Sequence, residues 1–73
     1  MNKEEIISWL EEIMELDEGE LDFEAELNDY EEWDSLTRLS LLAEAQDKYN
    51  KPIDSDTIKS FVTVEDVCKY FME

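Results

Sequence analysis

Trp33-Asp34-Ser35-Leu36 is the stretch of this chain whose residue types best suit chemistry. Asp34 is of the type that caps a helix, its short carboxylate accepting from the backbone N–H groups of the first turn. Ser35 then falls at the first helical position, with its hydroxyl expected to face outward, open to an incoming enzyme. The free N–H groups and the positive end of the helix dipole lie beside that oxygen, an environment suited to a phosphodiester. The other residue types argue against catalysis by the chain itself. It contains no histidine and a single cysteine, Cys68, and no convergent set of acid, base and nucleophile is visible. Cys68 has no partner for a metal site or an internal disulfide. Asp17-Glu18-Gly19-Glu20-Leu21-Asp22 has carboxylates like a calcium loop but neither its ligand spacing nor its closing glutamate. Neither a catalytic residue nor a dedicated metal site is expected.

Presenting Ser35 in this way requires a helix that begins there and a chain that packs around it. Leu36, Leu39, Leu41, Leu42, Ala43, Ala45 and Tyr49 form a broad apolar arc from Ser35 to Tyr49, opposite a polar stripe of Thr37, Ser40, Glu44, Asp47 and Lys48. So wide an arc suggests packing on more than one side. Upstream, Ile6, Ile7, Trp9, Leu10, Ile13, Met14 and Leu16 recur at about 100° per residue. They predict a helix from Lys3 to about Leu16, with Asn2 and Glu5 as a capping box and the Glu11 side turned to solvent. Residues 17–33 read as an ordered loop pinned to the core by Leu21, Phe23, Leu27, Tyr30 and Trp33, with Trp33 packed inward. Asn50-Lys51-Pro52 breaks the chain, a short helix is predicted from Asp54 or Ser55 to about Lys59, and Thr63 with Asp66 caps a last one. Val64, Val67, Cys68, Phe71 and Met72 form its apolar side. The expectation is an all-α fold, a small four-helix bundle with three main helices, a short third one and a long ordered first loop. Residues 1–73 are expected to make a single domain.

Charge narrows the partners. The formal net charge is −16. Residues 1–33 hold fourteen acids against Lys3 alone. Such a surface repels nucleic acid and anionic membranes and favours proteins with basic patches. No apolar run approaches the roughly 18 residues of a membrane span, and no basic-then-apolar leader opens the chain, so a monomer in the cytoplasm is the expectation. Moderate salt or a millimolar divalent ion is expected to raise the melting temperature by screening the crowded carboxylates. A thermal melt at low and moderate ionic strength checks this, and a flat response would contradict it.

With those residues in view, the chain resembles the acyl carrier protein family of phosphopantetheine-binding carriers along nearly its whole length. The resemblance runs from the acidic first helix through Leu21-Asp22-Phe23, Leu27-Asn28-Asp29-Tyr30 and Asp34-Ser35-Leu36. It continues through the Leu-rich helix to Phe61-Val62-Thr63-Val64-Glu65-Asp66-Val67. It implies that Ser35 receives 4′-phosphopantetheine from coenzyme A through a separate phosphopantetheinyl transferase, with Asp34 in support. The arm's thiol would then carry acyl or aminoacyl groups as thioesters between partner enzymes. It further implies partner docking through the second helix, at Leu36, Thr37, Arg38, Ser40, Glu44 and Asp47. Leu39, Leu42, Ile58 and Phe61 would line a pocket for the acyl chain. Glu31-Glu32-Trp33 stands where fatty-acid carriers usually have glycine, and Thr37, Ser40, Arg38 and Lys48 make the second helix less acidic than usual. These departures point to a specialised pathway rather than bulk fatty acid synthesis. The competing reading from composition alone is an acidic helical interaction protein, an inhibitor or nucleic-acid mimic that binds a basic partner.

Overall fold

The computed structural model describes residues 2–72. Four α-helices follow one another: α1 (Lys3–Ile13), α2 (Ser35–Asp47), α3 (Ser55–Ser60) and α4 (Val64–Phe71). A 3₁₀ turn at Leu27–Asp29 interrupts the long first loop. Helix α1 packs on α4 and α2, and α2 packs on α3, so the expected bundle, with no strand among the described residues, is what the chain forms.

Each helix starts on a side-chain cap. Asn2 Oδ1 accepts from the Glu5 amide at 2.8 Å, Asp34 Oδ1 from Thr37 at 2.9 Å and Asp54 Oδ1 from Thr57 at 2.7 Å. Thr63 and Asp66 form a full capping box, with Asp66 Oδ2 also accepting from the Val62 amide at 2.9 Å. These bonds favour the ionised form. Thr37's backbone amide holds Asp34 below the ordinary aspartate value, Thr57 does so for Asp54, and the amides of Val62 and Thr63 do so for Asp66. A carboxylate whose pKa is lowered by folding contributes stability above its unfolded value of 3.8. That contribution is lost as pH falls through the lower folded value. Thermal melts from neutral pH downward should therefore show an acid limb below about pH 4. Asp34→Asn with Asp54→Asn, which keeps the acceptors without the titration, should make that limb shallower; an unchanged limb would refute the assignment.

The core is built from Ile6, Leu10 and Met14 of α1 and its end, Leu41 and Ala45 of α2, Ile58 of α3, and Val64, Val67, Cys68 and Phe71 of α4. Trp9 is its aromatic hinge. Its ring meets Tyr49 edge-on at 4.8 Å and Phe71 at 5.2 Å, and its Nε1 donates to Glu44 Oε1 at 3.1 Å. The loop before α2 is ordered because Leu21, Leu27 and Trp33 are buried in this core. It is also tied to the α3–α4 connection: the Leu27 amide donates to Val62 O at 2.8 Å and the Val64 amide to Ala25 O at 3.1 Å.

Four local expectations are corrected. Helix α1 ends at Ile13 rather than near Leu16, because Glu15 takes a left-handed conformation with φ of 59°. The Leu16 amide then closes onto Glu11 O at 2.8 Å and the Glu15 amide onto Glu12 O at 3.2 Å, the pairing of a Schellman stop. Glu11 is buried at 5 % exposure instead of facing solvent, since the loop folds over it; its Oε2 accepts from the Gly19 and Leu21 amides at 2.8 and 3.1 Å. Helix α2 stops at Asp47, leaving Tyr49 beyond it, its ring on Trp9. Met72 follows the end of α4 and is half exposed, outside the core.

Candidate functional site

Ser35 is exposed at the first position of α2, where the turn from Glu32 to Asp34 delivers it. Two bonds fix that turn. Asp34 caps the helix through Thr37 N, and the Thr37 hydroxyl donates back to Glu32 O at 2.6 Å. Trp33 beneath them is 7 % exposed, packed inward as expected. The local sequence thus directs the tryptophan and the threonine inward, which leaves the intervening serine facing out.

Beside Ser35 lies a cleft of about 210 Å³ between α2 and α3, lined by Ser35, Arg38, Leu39, Leu42, Ser55, Ile58 and Lys59. Three of the four residues expected to line an acyl pocket are therefore brought together with the serine. Phe61 is not among them. Its ring is instead buried in the core, edge-on to Tyr70 at 5.8 Å. Ser55 and Lys59 were missed from the sequence; both lie one helical turn or less from Ile58, the neighbour that marked this wall.

The six residues expected to dock partners divide on exposure. Leu36 is 75 % exposed, and Ser40 and Asp47 are also open. Arg38 is partly covered and reaches the cleft. Thr37 is buried and its hydroxyl is engaged, contrary to its place on a solvent-facing stripe. Glu44 is half-buried and occupied within the chain: besides Trp9 Nε1 it meets Lys48 Nζ at 3.3 Å, and that contact raises the Lys48 pKa. The open face of α2 is accordingly apolar at its start, with Leu39 also 60 % exposed.

A scan against protein-family models matches the phosphopantetheine attachment site family over residues 4–71. The chain belongs to that family. No curated protein and no solved structure matches it significantly. As a phosphopantetheine carrier it bears 4′-phosphopantetheine covalently, and it works with transferases and acyl-handling enzymes. The residues present fit the group: an exposed hydroxyl at a helix start, with an adjoining cleft whose walls are Leu39, Leu42 and Ile58. When attached, the arm supplies a thiol on which acyl groups are held as thioesters. Among the described residues, no helix of this carrier is long and apolar enough to cross a membrane.

Proposed function

We propose that Ser35 is the point of attachment of the arm, and that the chain, one carrier domain over residues 1–73, ferries acyl or aminoacyl thioesters between enzymes of a specialised pathway. The observation that carries this reading is the exposure of Ser35 at the start of α2, on the rim of an apolar cleft. The chain's own part is positional. Asp34 and Thr37 hold the serine outward, the bundle keeps the helix start rigid, and the exposed Leu36, Leu39, Ser40 and Asp47 offer α2 to partners. Tethering raises the effective concentration of cargo at each docked enzyme, and weak docking permits release to the next. The acidic surface, at −16 overall, favours enzymes whose docking sites are basic. Glu31-Glu32-Trp33 before the serine and the cations Arg38 and Lys48 on or beside α2 favour dedicated partners over a housekeeping fatty acid synthase.

Incubation with coenzyme A, magnesium and a promiscuous phosphopantetheinyl transferase tests the assignment. Intact-mass analysis should show one added arm, and fragmentation should place it on the peptide containing Ser35. No mass gain, or an arm mapped to another residue, would overturn it.

A further inference from the structure

Apolar side chains scattered singly over a surface are ordinary; two that adjoin each other beside a reactive group are not. Leu36 and Leu39 are the two most exposed large apolar side chains among the described residues, at 75 % and 60 %. They stand three residues apart on α2, and Ser40 and Ala43 continue the same face at helical spacing. Every exposed position from Ser35 to Gln46 is uncharged, in a chain that holds 22 acids among 73 residues. Charges surround this face without entering it. Glu31, Glu32 and Asp34 precede it, Asp47 ends it, and Glu44 is half-buried and taken up by Trp9 and Lys48. On the cleft side Arg38 and Lys59 are matched in number by Asp54 and Asp56, which flank Ser55. The uncompensated charge therefore lies at the serine end.

We infer that Leu36 and Leu39 are the anchor by which the transferase that loads Ser35 holds this carrier, through a docking patch that is apolar at its centre and basic only at its rim. The inference rests on Ser35 being the attachment point. Of the enzymes a carrier meets, the transferase alone must take the serine oxygen itself into its active site. Leu36 adjoins that serine and Leu39 follows one turn later, so a transferase seated on Ser35 covers both. A cation placed over the leucines would lose its water and gain no partner. An apolar groove there removes both side chains from water instead, which is favourable in proportion to the area covered. The carboxylates around the face have a different part. Glu31 and Glu32 draw a basic rim in from a distance and so speed encounter, while the leucines set how long the complex lasts. Charge steers this carrier to its transferase, and apolar contact holds it there.

The test measures loading kinetics with a promiscuous phosphopantetheinyl transferase, magnesium and saturating coenzyme A, with carrier concentration varied at low and at moderate ionic strength. Leu36→Ala with Leu39→Ala should raise the KM for the carrier roughly tenfold at both ionic strengths and leave kcat unchanged. Leu36→Met with Leu39→Met, which keeps the apolar volume, should restore the wild-type KM. Glu31→Gln with Glu32→Gln should lower kcat/KM at low ionic strength only, the difference vanishing as salt screens the wild type. Met72→Ala removes an exposed apolar side chain beside the start of α1 and should load as the wild type does. Thermal melts confirm that each variant is folded. An alanine pair that loads with the wild-type KM, or a KM governed by Glu31 and Glu32 at both ionic strengths, overturns the apolar anchor and leaves the attachment point standing. Absence of mass gain in the wild type removes the attachment point, and the anchor with it.

Discussion

Ser35→Ala is expected to abolish attachment of the arm entirely while leaving the fold in place. Loading needs an oxygen to form the new bond to phosphorus as the pyrophosphate link of coenzyme A breaks, and alanine has none. The structural cost is small. Ser35 is exposed and makes no hydrogen bond that holds the turn, since the cap belongs to Asp34 and the inward anchor to Thr37. Exposed substitutions of this kind stay within about 0.5 kcal/mol. The variant should therefore melt as the wild type does and show no mass gain with coenzyme A and transferase. Ser8→Ala, an exposed serine on α1 away from the docking face, should load normally. Loading of Ser35→Ala would show that the arm goes elsewhere.

Glu11→Ala should produce the largest loss of stability among single polar substitutions in this chain. Glu11 is 5 % exposed, and one of its oxygens receives the amides of Gly19 and Leu21, the second of these bonds being fully buried. Hydrogen bonds to a charged acceptor contribute about 1.5–3 kcal/mol each, and stranding a buried donor costs about 1–3 kcal/mol. A loss of roughly 3 kcal/mol follows, against a total of roughly 4–11 kcal/mol for a domain of this length. The corresponding drop in Tm is roughly 12–24 °C. Glu11→Gln keeps a neutral acceptor and should lose only about a third as much. Glu12→Ala, its exposed neighbour, should change stability by no more than about 0.5 kcal/mol. Urea denaturation of the three variants checks the order. If Glu11→Ala proved no worse than Glu12→Ala, the loop would not depend on this carboxylate.

Glu11 also shows where sequence reading stops. Periodicity at about 100° per residue identified the apolar side of α1 correctly, and Ile6, Trp9, Leu10 and Met14 are buried as that pattern requires. Periodicity cannot show that a loop will later close over the polar flank and need an acceptor there. Thr37 is the same case on α2, covered by the Glu32–Asp34 turn and bonded to it. Caps were legible at Asn2, Asp34 and Thr63 because the capping atom and its amide lie within three residues of each other. The end of α1 was not legible, because the left-handed position fell to Glu15 rather than to a glycine, and Gly19 with φ of 90° lies four residues too late to mark it. Around Ser35 the motif and its neighbours on α2 were readable from local spacing. Lys59 at the cleft, and Phe61 buried in the core rather than lining it, depend on how a six-residue helix packs against its neighbours, which local pattern does not contain.

Cys68 is wholly enclosed, and burial pushes its thiol above the ordinary value of 9.0. A carrier works through repeated thioester exchange at the tip of its arm, and a second accessible thiolate would draw off cargo or form a mixed disulfide with that tip. Sealing the only cysteine of the chain into the helical core removes that competitor. Maleimide reagents and thioester exchange then meet a single reactive thiol, the one at the end of the tether.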